Sequence, residues 1–232
     1  MKNLMKTGMF CFAYFLACCS LSKAQDATLT SINFNDMSEF QEQAGNWTTV
    51  GEVWMDPNVD VAHKAEKANT GKKRKKTPAV AVPQAVHFQP GSGILLNIND
   101  DSKKSNLVTN WEHGDIYIEM EIMVPKGSNS GLYLQGRYEL QLEDSWGVVA
   151  PKFSNMGGIF RNWEEAPEKS YMGKAPLINA AKAPGLWQTL KVSFQAPKFN
   201  ASGVKISNAK ILSAELNGVK IHDNVEIPKY TG

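Results

Sequence analysis

The stretch GLYLQGRYELQLEDSWG, residues 131–147, alternates between apolar and polar side chains along almost its whole length. The large apolar side chains fall on even positions, namely Leu132, Leu134, Tyr138, Leu140 and Leu142. The opposite set falls on odd positions, namely Tyr133, Gln135, Arg137, Glu139, Gln141 and Glu143. Because successive side chains of a β-strand point to opposite faces, this period of two predicts a strand with one face in a core.

The remaining chain consists of short alternating segments separated by turn residues, which is typical of an all-β sandwich or barrel. The strand candidates are residues 29–34, 46–54, 93–98, 115–124, 131–144, 186–195 and 209–221. Within the last candidate, Asn217-Gly218 lies between two alternating runs and predicts a tight hairpin. Helix is scarce, with one short turn expected in 37–43 and another in 175–183.

The first 24 residues have the pattern of a secretory signal peptide and not of a domain. Lys2 and Lys6 precede a short apolar run, and the small residues Ser22 and Ala24 suit a cut before Gln25. We therefore expect a secreted or periplasmic protein whose single domain spans residues 25–232. The alternative is a lipoprotein signal, in which Cys18 or Cys19 would carry a membrane anchor.

All three cysteines lie in this leader, so the expected mature chain contains neither a disulfide nor a reactive thiol. The leader also carries three lysines and no acidic residue, so its removal changes the net charge from +2 to −1. A slightly acidic chain is a poor candidate for nucleic-acid binding. The basic run at 72–76 lacks interleaved aromatic residues and is interpreted as a solvated loop.

The polar face of residues 131–147 allows two interpretations. It is either the solvated face that each sheet of a sandwich needs, or the wall of a groove. Gln135, Gln141 and Tyr133 favour the groove, because amide and phenol groups suit hydrogen bonding to hydroxyls. The motifs that follow add Trp146 and, in GGIFRNW, Trp163. Indole rings beside amides and carboxylates are what a sugar requires, since its C–H face packs on aromatic rings.

Candidate acid–base groups on or beside this face are Glu139, Glu143 and Asp144. Gln141 occupies the position between the two glutamates, where an ordinary two-carboxylate glycosidase would more naturally have an acid. His113 is the preferred functional histidine because it directly precedes the acidic strand at 115–124. No H-x-x-x-H pair provides local metal spacing.

Four motifs together resemble one family. PKGSNSGLYLQGRYELQLEDSWG, GGIFRNW, KAPGLWQTLKVSFQAPKF and LNGVKIHDNVEIP are similar to segments of the 3-keto-disaccharide hydrolases, over roughly residues 30–232. The resemblance implies a concanavalin-A-like jelly-roll sandwich of two antiparallel sheets. It also implies cleavage of oxidised di- or oligosaccharides or glycosides, as a 3-keto-glucoside 1,2-lyase or a 3-keto-2-hydroxyglucal hydratase. A C3 ketone acidifies the C2 proton, so one base and a metal ion or cationic donors for the enediolate suffice.

Transferred to this chain, the resemblance implies that Glu139 and Asp144 act as base or metal ligand. Arg137 and Gln141 would hold hydroxyls or the developing oxyanion, and His113 would be a ligand or second acid–base group. The residues expected to line the groove are Trp146, Arg161, Trp163 and Lys174. The resemblance allows a divalent metal ion as cofactor and implies no other.

The given sequence stops before the last segment that members of this family contain. Members continue past VEIPKYTG with a histidine-containing turn and a last strand, so we expect a sandwich that lacks its last strand and is impaired in catalysis. Two other classes stay open from the residues alone, a non-catalytic carbohydrate-binding module and an ordinary glycoside hydrolase.

Overall fold

A computed structural model describes residues 29–56, 86–99, 102–166 and 169–231. The predicted leader, 1–24, and the basic run, 72–76, lie outside these ranges. Throughout the described ranges the regular structure is β-strand, without an α-helix. A search of the same ranges accordingly finds no helix long and apolar enough to cross a membrane.

Ten strands lie within one compact unit, residues 33–232. In chain order they are β1 Trp47–Met55, β2 Val86–Asn97, β3 Ile116–Met123, β4 Asn129–Leu134, β5 Tyr138–Glu143, β6 Trp187–Gln195, β7 Lys198–Phe199, β8 Lys205–Ser207, β9 Ala209–Leu216 and β10 Val219–Ile227. β1 pairs with β2, and β7 pairs with β8, as separate antiparallel ribbons.

The largest sheet has four antiparallel strands in the order β10-β9-β6-β3. Its strands alternate as half-buried strands should, so one face carries apolar side chains into the core. The fully buried members from β6 and β9 include Leu190, Val192, Phe194, Ile211 and Leu216. The opposite face carries charged residues, with Lys191 of β6 in register between Glu119 of β3 and Glu215 of β9.

A second layer is built on β4 and β5, which form an antiparallel hairpin. On the other side of β5, Leu140 forms an antiparallel bridge with Ile159, and Ile159 forms the next bridge with Lys174. The extended segments around these bridges continue the layer, since Phe160 N donates to Glu139 O at 2.9 Å.

The core lies between these two layers. Leu134, Tyr138, Leu140 and Leu142 of the hairpin belong to the same buried cluster as Leu190 and the other core residues of the four-stranded sheet. Burying one such side chain contributes roughly 1.5–3 kcal/mol, so the cluster is a major source of stability for the described residues, which contain no cysteine. The predicted all-β architecture of antiparallel sheets is thereby confirmed, in keeping with a jelly-roll sandwich.

The hairpin corrects one feature of the sequence prediction. Residues 131–144 are not one continuous strand, because a two-residue turn at Gln135-Gly136 divides them into β4 and β5. Both turn residues have left-handed backbones, with φ of 54° and 62°, and Arg137 N donates to Leu134 O at 3.0 Å. This is the geometry that matches the twist of paired strands. The predicted turn at Asn217-Gly218 is confirmed and has the same form.

The segment 37–43 contains one hydrogen-bonded turn, in which Phe40 N donates to Met37 O at 3.0 Å, but neither this segment nor 175–183 forms a helix. In 37–43, Phe40 forms a β-bridge with Thr109 instead. In 175–183, the Asn179 side chain donates to Ser145 O and accepts from Ala181 N, so it satisfies loop backbone instead of a helix. Residues 29–34 are likewise not a strand.

Candidate functional site

The hairpin preserves the two faces that the sequence pattern predicted. A two-residue turn pairs Leu134 with Tyr138 and Tyr133 with Glu139, so even positions face even positions and odd face odd. Residues directly opposite in an antiparallel pair share a face. The apolar residues of both strands therefore point into the core, and the polar residues of both strands share the other side. We call this other side the hairpin face, made of Asn129, Gly131, Tyr133, Glu139, Gln141 and Glu143.

Tyr133 and Glu139 form the centre of the hairpin face. The Tyr133 hydroxyl donates to Glu139 Oε2 at 2.8 Å. Burial raises the pKa of Glu139 above its ordinary value of 4.5, and the hydrogen bond from Tyr133 opposes only part of that increase. Burial, followed by the bond to Glu139, raises the pKa of Tyr133 to about 12. The pair therefore joins a carboxyl group of increased basicity to a phenol that stays protonated at neutral pH.

Gly131 provides the space that the Glu139 carboxyl group occupies. A Cβ atom built on Gly131 would lie 2.5 Å from Glu139 Oε1 and 3.0 Å from its Cδ. Real Cβ atoms do not approach that closely, so any larger residue would displace the carboxyl group. The carboxyl group is thus held between the Tyr133 hydroxyl on one oxygen and a bare backbone on the other side.

Gln141 is the most deeply buried polar group of the hairpin face, with 1% of its surface exposed. Its Nε2 donates to Asn129 Oδ1 at 3.3 Å, whereas its Oε1 has no hydrogen-bond partner. Its backbone bonds to Gly157 and Gly158, and the loop carrying Phe153 packs directly on Gly158. An unsatisfied buried carbonyl is costly, so Gln141 Oε1 has the capacity to accept a hydrogen bond that no described side chain donates.

The remaining acids at this end of the hairpin hold loops in place. Glu143 Oε2 accepts from Asn155 Nδ2 at 3.0 Å. Asp144 accepts from the backbone N of Gly127 at 3.0 Å and of Trp146 at 3.3 Å. The structure therefore separates the two residues expected to act as base or metal ligand, since Glu139 lies on the hairpin face and Asp144 anchors the β3–β4 loop.

An aromatic row borders the hairpin face. Phe160 lies opposite Glu139 on the neighbouring extended segment and so shares its face. The Phe160 ring is 5.3 Å from that of Phe153 and 5.6 Å from that of Trp163, and the Arg161 guanidinium lies 4.9 Å from the Trp163 ring centroid. Trp163 is 61% exposed. The row thus carries an exposed indole next to Phe160, the residue opposite Glu139, and it includes two rings, Phe160 and Phe153, that the sequence analysis did not single out. The contact of Arg161 and Trp163 with a substrate stays a prediction.

Trp146 also remains open to ligands, with 62% of its surface exposed on the loop after β5. Its indole makes neither a ring contact nor a hydrogen bond with the residues of the aromatic row. The structure therefore leaves it at the end of the hairpin, beside Asp144.

Arg137 lies at the opposite end of the hairpin, directly after the turn. Its guanidinium is 5.0 Å from the ring centroid of Tyr230, and its backbone O accepts from Thr231 N at 2.7 Å. Although Arg137 has an odd residue number, like the residues of the hairpin face, its side chain lies over Tyr230 of the C-terminal segment and not along β5. The expected contact of Arg137 with substrate hydroxyls therefore has no support in this geometry.

Lys174 corrects the expectation that it lines the same groove. Because Lys174 pairs with Ile159, and Ile159 with Leu140, Lys174 shares the face of Leu140 and not that of Glu139. It lines a separate cavity of about 440 Å³ at the flank of the sandwich, together with His222 of β10. Burial and, less strongly, the Lys174 charge lower the pKa of His222, whose Nε2 bonds to Gly157 O at 2.7 Å.

His113 has a structural position and not the expected catalytic one. Its Nε2 accepts from the backbone N of Gln135, and its Nδ1 bonds to Gly114 O, each at 2.9 Å. The Gln135 side chain in turn donates to His113 O, and the imidazole packs edge-on against Phe194 of the core. Both ring nitrogens are committed to backbone groups, so the residue fastens the β4–β5 turn.

The described residues do not fit the metal ion that the sequence analysis left open. Across 29–56, 86–99, 102–166 and 169–231, no three His, Cys, Asp or Glu side chains converge closely enough to hold a metal. Glu139 and Asp144 are engaged with Tyr133 and with backbone amides, as described above. We therefore derive no chemical step through a metal.

The chain was compared with known proteins. A protein from Parabacteroides distasonis, provisionally described as a glycosyl hydrolase, has a solved structure that is 26% identical, with a TM-score of 0.44 over 53% of this chain and 51% of that chain. This chain thus spans about half the length of that protein. No curated protein matches. A family model described as a 3-keto-alpha-glucoside-1,2-lyase-like domain matches residues 46–232. Because this match covers most of the sequence, the chain belongs to the 3-keto-alpha-glucoside-1,2-lyase-like domain family.

Proposed function

We propose that this chain cleaves glycosides whose sugar is already oxidised to a ketone at C3. Glu139 removes the C2 proton, and the resulting enediolate expels the substituent at C1 to leave a 1,2-unsaturated 3-keto sugar. Addition of water across the same double bond is the companion reaction. The observation that carries the proposal is the half-buried Glu139 carboxyl group, whose pKa is raised by burial and which is bonded by a phenol instead of a cation.

The ketone explains why one carboxyl group is enough. It delocalises the negative charge left at C2 onto the C3 oxygen, so a base with a moderately raised pKa can remove the proton. Glycosides without the ketone lack that delocalisation, and their cleavage needs an acid and a second carboxylate on either side of the glycosidic oxygen.

The spacing of the acids disfavours that two-carboxylate alternative. Glu139 and Glu143 lie on the same face of β5 but four residues apart, which places their Cα atoms about 13 Å from each other. Retaining and inverting glycosidases separate their two carboxyl groups by about 5 Å and by roughly 6.5–9.5 Å, respectively. Gln141 lies between them, and Glu143 is bonded to Asn155. The wide Cα spacing and the bond from Asn155 to Glu143 therefore favour a single-base reaction over that of an ordinary glycoside hydrolase.

The surroundings of Glu139 are suited to a sugar ring. Phe160 and Trp163 offer apolar faces on which the C–H side of the ring can pack and bury apolar surface. Tyr133 and the Gln141–Asn129 amide pair offer polar atoms for hydroxyls. A site with one apolar wall and a polar floor can orient a sugar so that one C–H bond points at the base.

We also propose that the protein acts outside the cytoplasm. The support is the sequence of residues 1–24, in which a basic start, a short apolar run and small residues before Gln25 follow one another. The test is to identify the mature N-terminus, which would begin at Gln25 after signal cleavage, or at Cys18 or Cys19 after lipidation.

The catalytic proposal is tested by offering the protein a 3-keto-glucoside beside its parent glucoside. We expect ultraviolet absorption of an enone product from the keto sugar alone, and release of the aglycone at the same rate. In deuterium oxide, recovered keto substrate or hydrated product should carry deuterium at C2. Turnover of the parent glucoside would instead identify a glycoside hydrolase, and binding of either sugar without turnover would identify a carbohydrate-binding module.

A further inference from the structure

This inference rests on the function proposed above and names a second catalytic residue. We propose that the Tyr133 hydroxyl donates the hydrogen bond that stabilises the C3 oxygen of the enediolate while Glu139 removes the C2 proton. The resemblance implied metal or cationic groups for that task, and the structure leads to a neutral phenol instead.

The geometry of the Tyr133–Glu139 pair carries the proposal. The Tyr133 hydroxyl already lies 2.8 Å from Glu139 Oε2, while Glu139 Oε1 lies over the open backbone of Gly131. In the substrate, the C3 oxygen is attached to the carbon next to C2. When the C2 proton faces Oε1 and the C2–C3 bond runs toward Oε2, the C3 oxygen comes to the side of the phenol, within a hydrogen-bond reach of about 3 Å. Tyr133 is 42% exposed, so a substrate can reach it.

The other donors that the sequence analysis assigned to substrate binding lie away from Glu139 or are already hydrogen-bonded. The Arg137 guanidinium lies over Tyr230, and Lys174 lines the flank cavity with His222. Gln141 Nε2 is bonded to Asn129. Among these groups and the residues of the hairpin face, Tyr133 is the hydrogen-bond donor that contacts the proposed base, Glu139.

The hydrogen bond can follow the negative charge during the reaction. In the resting site the charge is on the Glu139 carboxylate, and Tyr133 donates to it. When the C2 proton binds Oε1, the C–H electron pair forms the C2–C3 double bond and the carbonyl π pair moves to the C3 oxygen. The charge has then left the carboxyl group, and the Tyr133 O–H can turn from Oε2 to the C3 oxygen.

The second half of the reaction reverses this movement. The C3 oxygen re-forms the carbonyl, the C2–C3 pair becomes the C1–C2 double bond, and the C1–O bond breaks. The departing oxygen takes a proton from Glu139, which restores the carboxylate and its bond to Tyr133. No oxidant or reductant is consumed. Because the pKa of Tyr133 is raised to about 12, the phenol remains a donor throughout.

The chain offers a matched control in a second tyrosine–glutamate pair. The Tyr117 hydroxyl donates to Glu119 Oε1 at 2.6 Å on the outer face of the four-stranded sheet. There Lys191 also donates to Glu119, at 3.0 Å. Tyr117→Phe removes the same hydroxyl from the same kind of pair without touching the hairpin face.

The experiment compares Tyr133→Phe and Tyr117→Phe with the wild-type protein on a 3-keto-glucoside and its C2-deuterated form. For Tyr133→Phe we expect kcat to fall about 10²- to 10³-fold with KM changed by less than about three-fold, as when one oxyanion donor is lost. The deuterium isotope effect should increase, because proton removal then limits the rate. Tyr117→Phe should leave kcat within about two-fold.

A second variant keeps the hydroxyl and changes only its acidity. Fluorotyrosine at position 133 lowers the pKa of the phenol, so activity should be lost at a lower pH on the alkaline side. If wild type turns over the keto sugar but Tyr133→Phe retains its kcat and isotope effect, the inference is overturned and the proposed function stands. If wild type forms no enone from the keto sugar, both are overturned.

Discussion

Two outer faces of this molecule carry the same residue types and treat them differently. On the four-stranded sheet, Glu119 accepts hydrogen bonds from Tyr117 and Lys191, which lower its pKa below 4.5. On the hairpin face, Glu139 also accepts from a tyrosine, but burial dominates and raises its pKa. The first face is a solvated surface with compensated charges. The hairpin face holds a carboxyl group whose pKa is raised. The raised pKa lowers the stability of the folded protein at neutral pH and makes Glu139 a stronger base for proton transfer.

The comparison teaches that an alternating pattern does not by itself distinguish surface from site. Residues 115–124 and 131–144 both alternate, and both place a tyrosine and a glutamate on the polar face. The difference arises from neighbours in space. β6 lies beside β3 and brings Lys191 to Glu119, whereas Gly131 and Phe160 lie beside Glu139.

The largest effect should come from replacing each glutamate with its amide. Glu139→Gln removes the proposed base, and we expect turnover of a 3-keto-glucoside to fall about 10²- to 10⁴-fold. Glu119→Gln removes a carboxylate that is hydrogen-bonded on a solvated surface and should change turnover by less than about two-fold. Steady-state kinetics on both variants measures the contrast. Equally small effects of the two substitutions on turnover would show that neither glutamate takes part in catalysis.

A smaller effect is expected from filling the space beneath the carboxyl group. Gly131→Ala puts a methyl group where Glu139 Oε1 now lies, so the base must move. Misplacement of a base by about 1 Å can lower turnover about 10²-fold, and we expect a loss of 10- to 100-fold. Gly114→Ala is the matched control, because a Cβ there meets nothing within 4 Å. Full activity in Gly131→Ala would show that the held position of Glu139 is irrelevant.

The smallest effect concerns stability and has opposite signs on the two faces. The pKa of Glu139 is higher in the folded state than the value of 4.5 expected for the unfolded chain. The protonated carboxyl group therefore contributes stability below pH 4.5, and this contribution is lost as the pH rises through the folded-state pKa. At pH 7, Glu139→Gln should therefore be more stable than wild type, and the gain should vanish below pH 4.5. Glu119, with its lowered pKa, contributes stability that is present above 4.5 and lost as the pH falls. Urea denaturation at pH 7 and pH 4 measures both, and destabilisation by Glu139→Gln at pH 7 would contradict the account.

Much of the hairpin was predictable, and one coincidence of geometry explains why. The sequence analysis treated residues 131–144 as one strand and missed the turn at Gln135-Gly136, which lacks the asparagine that identifies Asn217-Gly218. A two-residue turn nevertheless keeps residues of equal parity on the same face. The prediction of an apolar and a polar face therefore survived an error in strand number.

The parts that failed depend on register beyond the hairpin. No local pattern shows that Ile159 bridges both Leu140 and Lys174, and that pairing is what moves Lys174 to the opposite face. His113 was preferred for its position before the acidic strand at 115–124, but both ring nitrogens bond to backbone groups, and the sequence does not show that one of these groups is Gln135 N. Phe160, the last residue of GGIF, becomes recognisable as a neighbour of Glu139 only when that segment is placed beside β5.

The most direct test of the central claim is the carboxyl pKa of Glu139 and of Glu119, measured in the same sample by carbon-13 NMR titration with Glu→Gln variants for assignment. The account predicts that Glu139 titrates above 4.5 and Glu119 below it. A Glu139 carboxyl group that titrates at or below 4.5 would mean that the hairpin face is as well solvated as the sheet opposite, and the proposed base would be an ordinary surface residue.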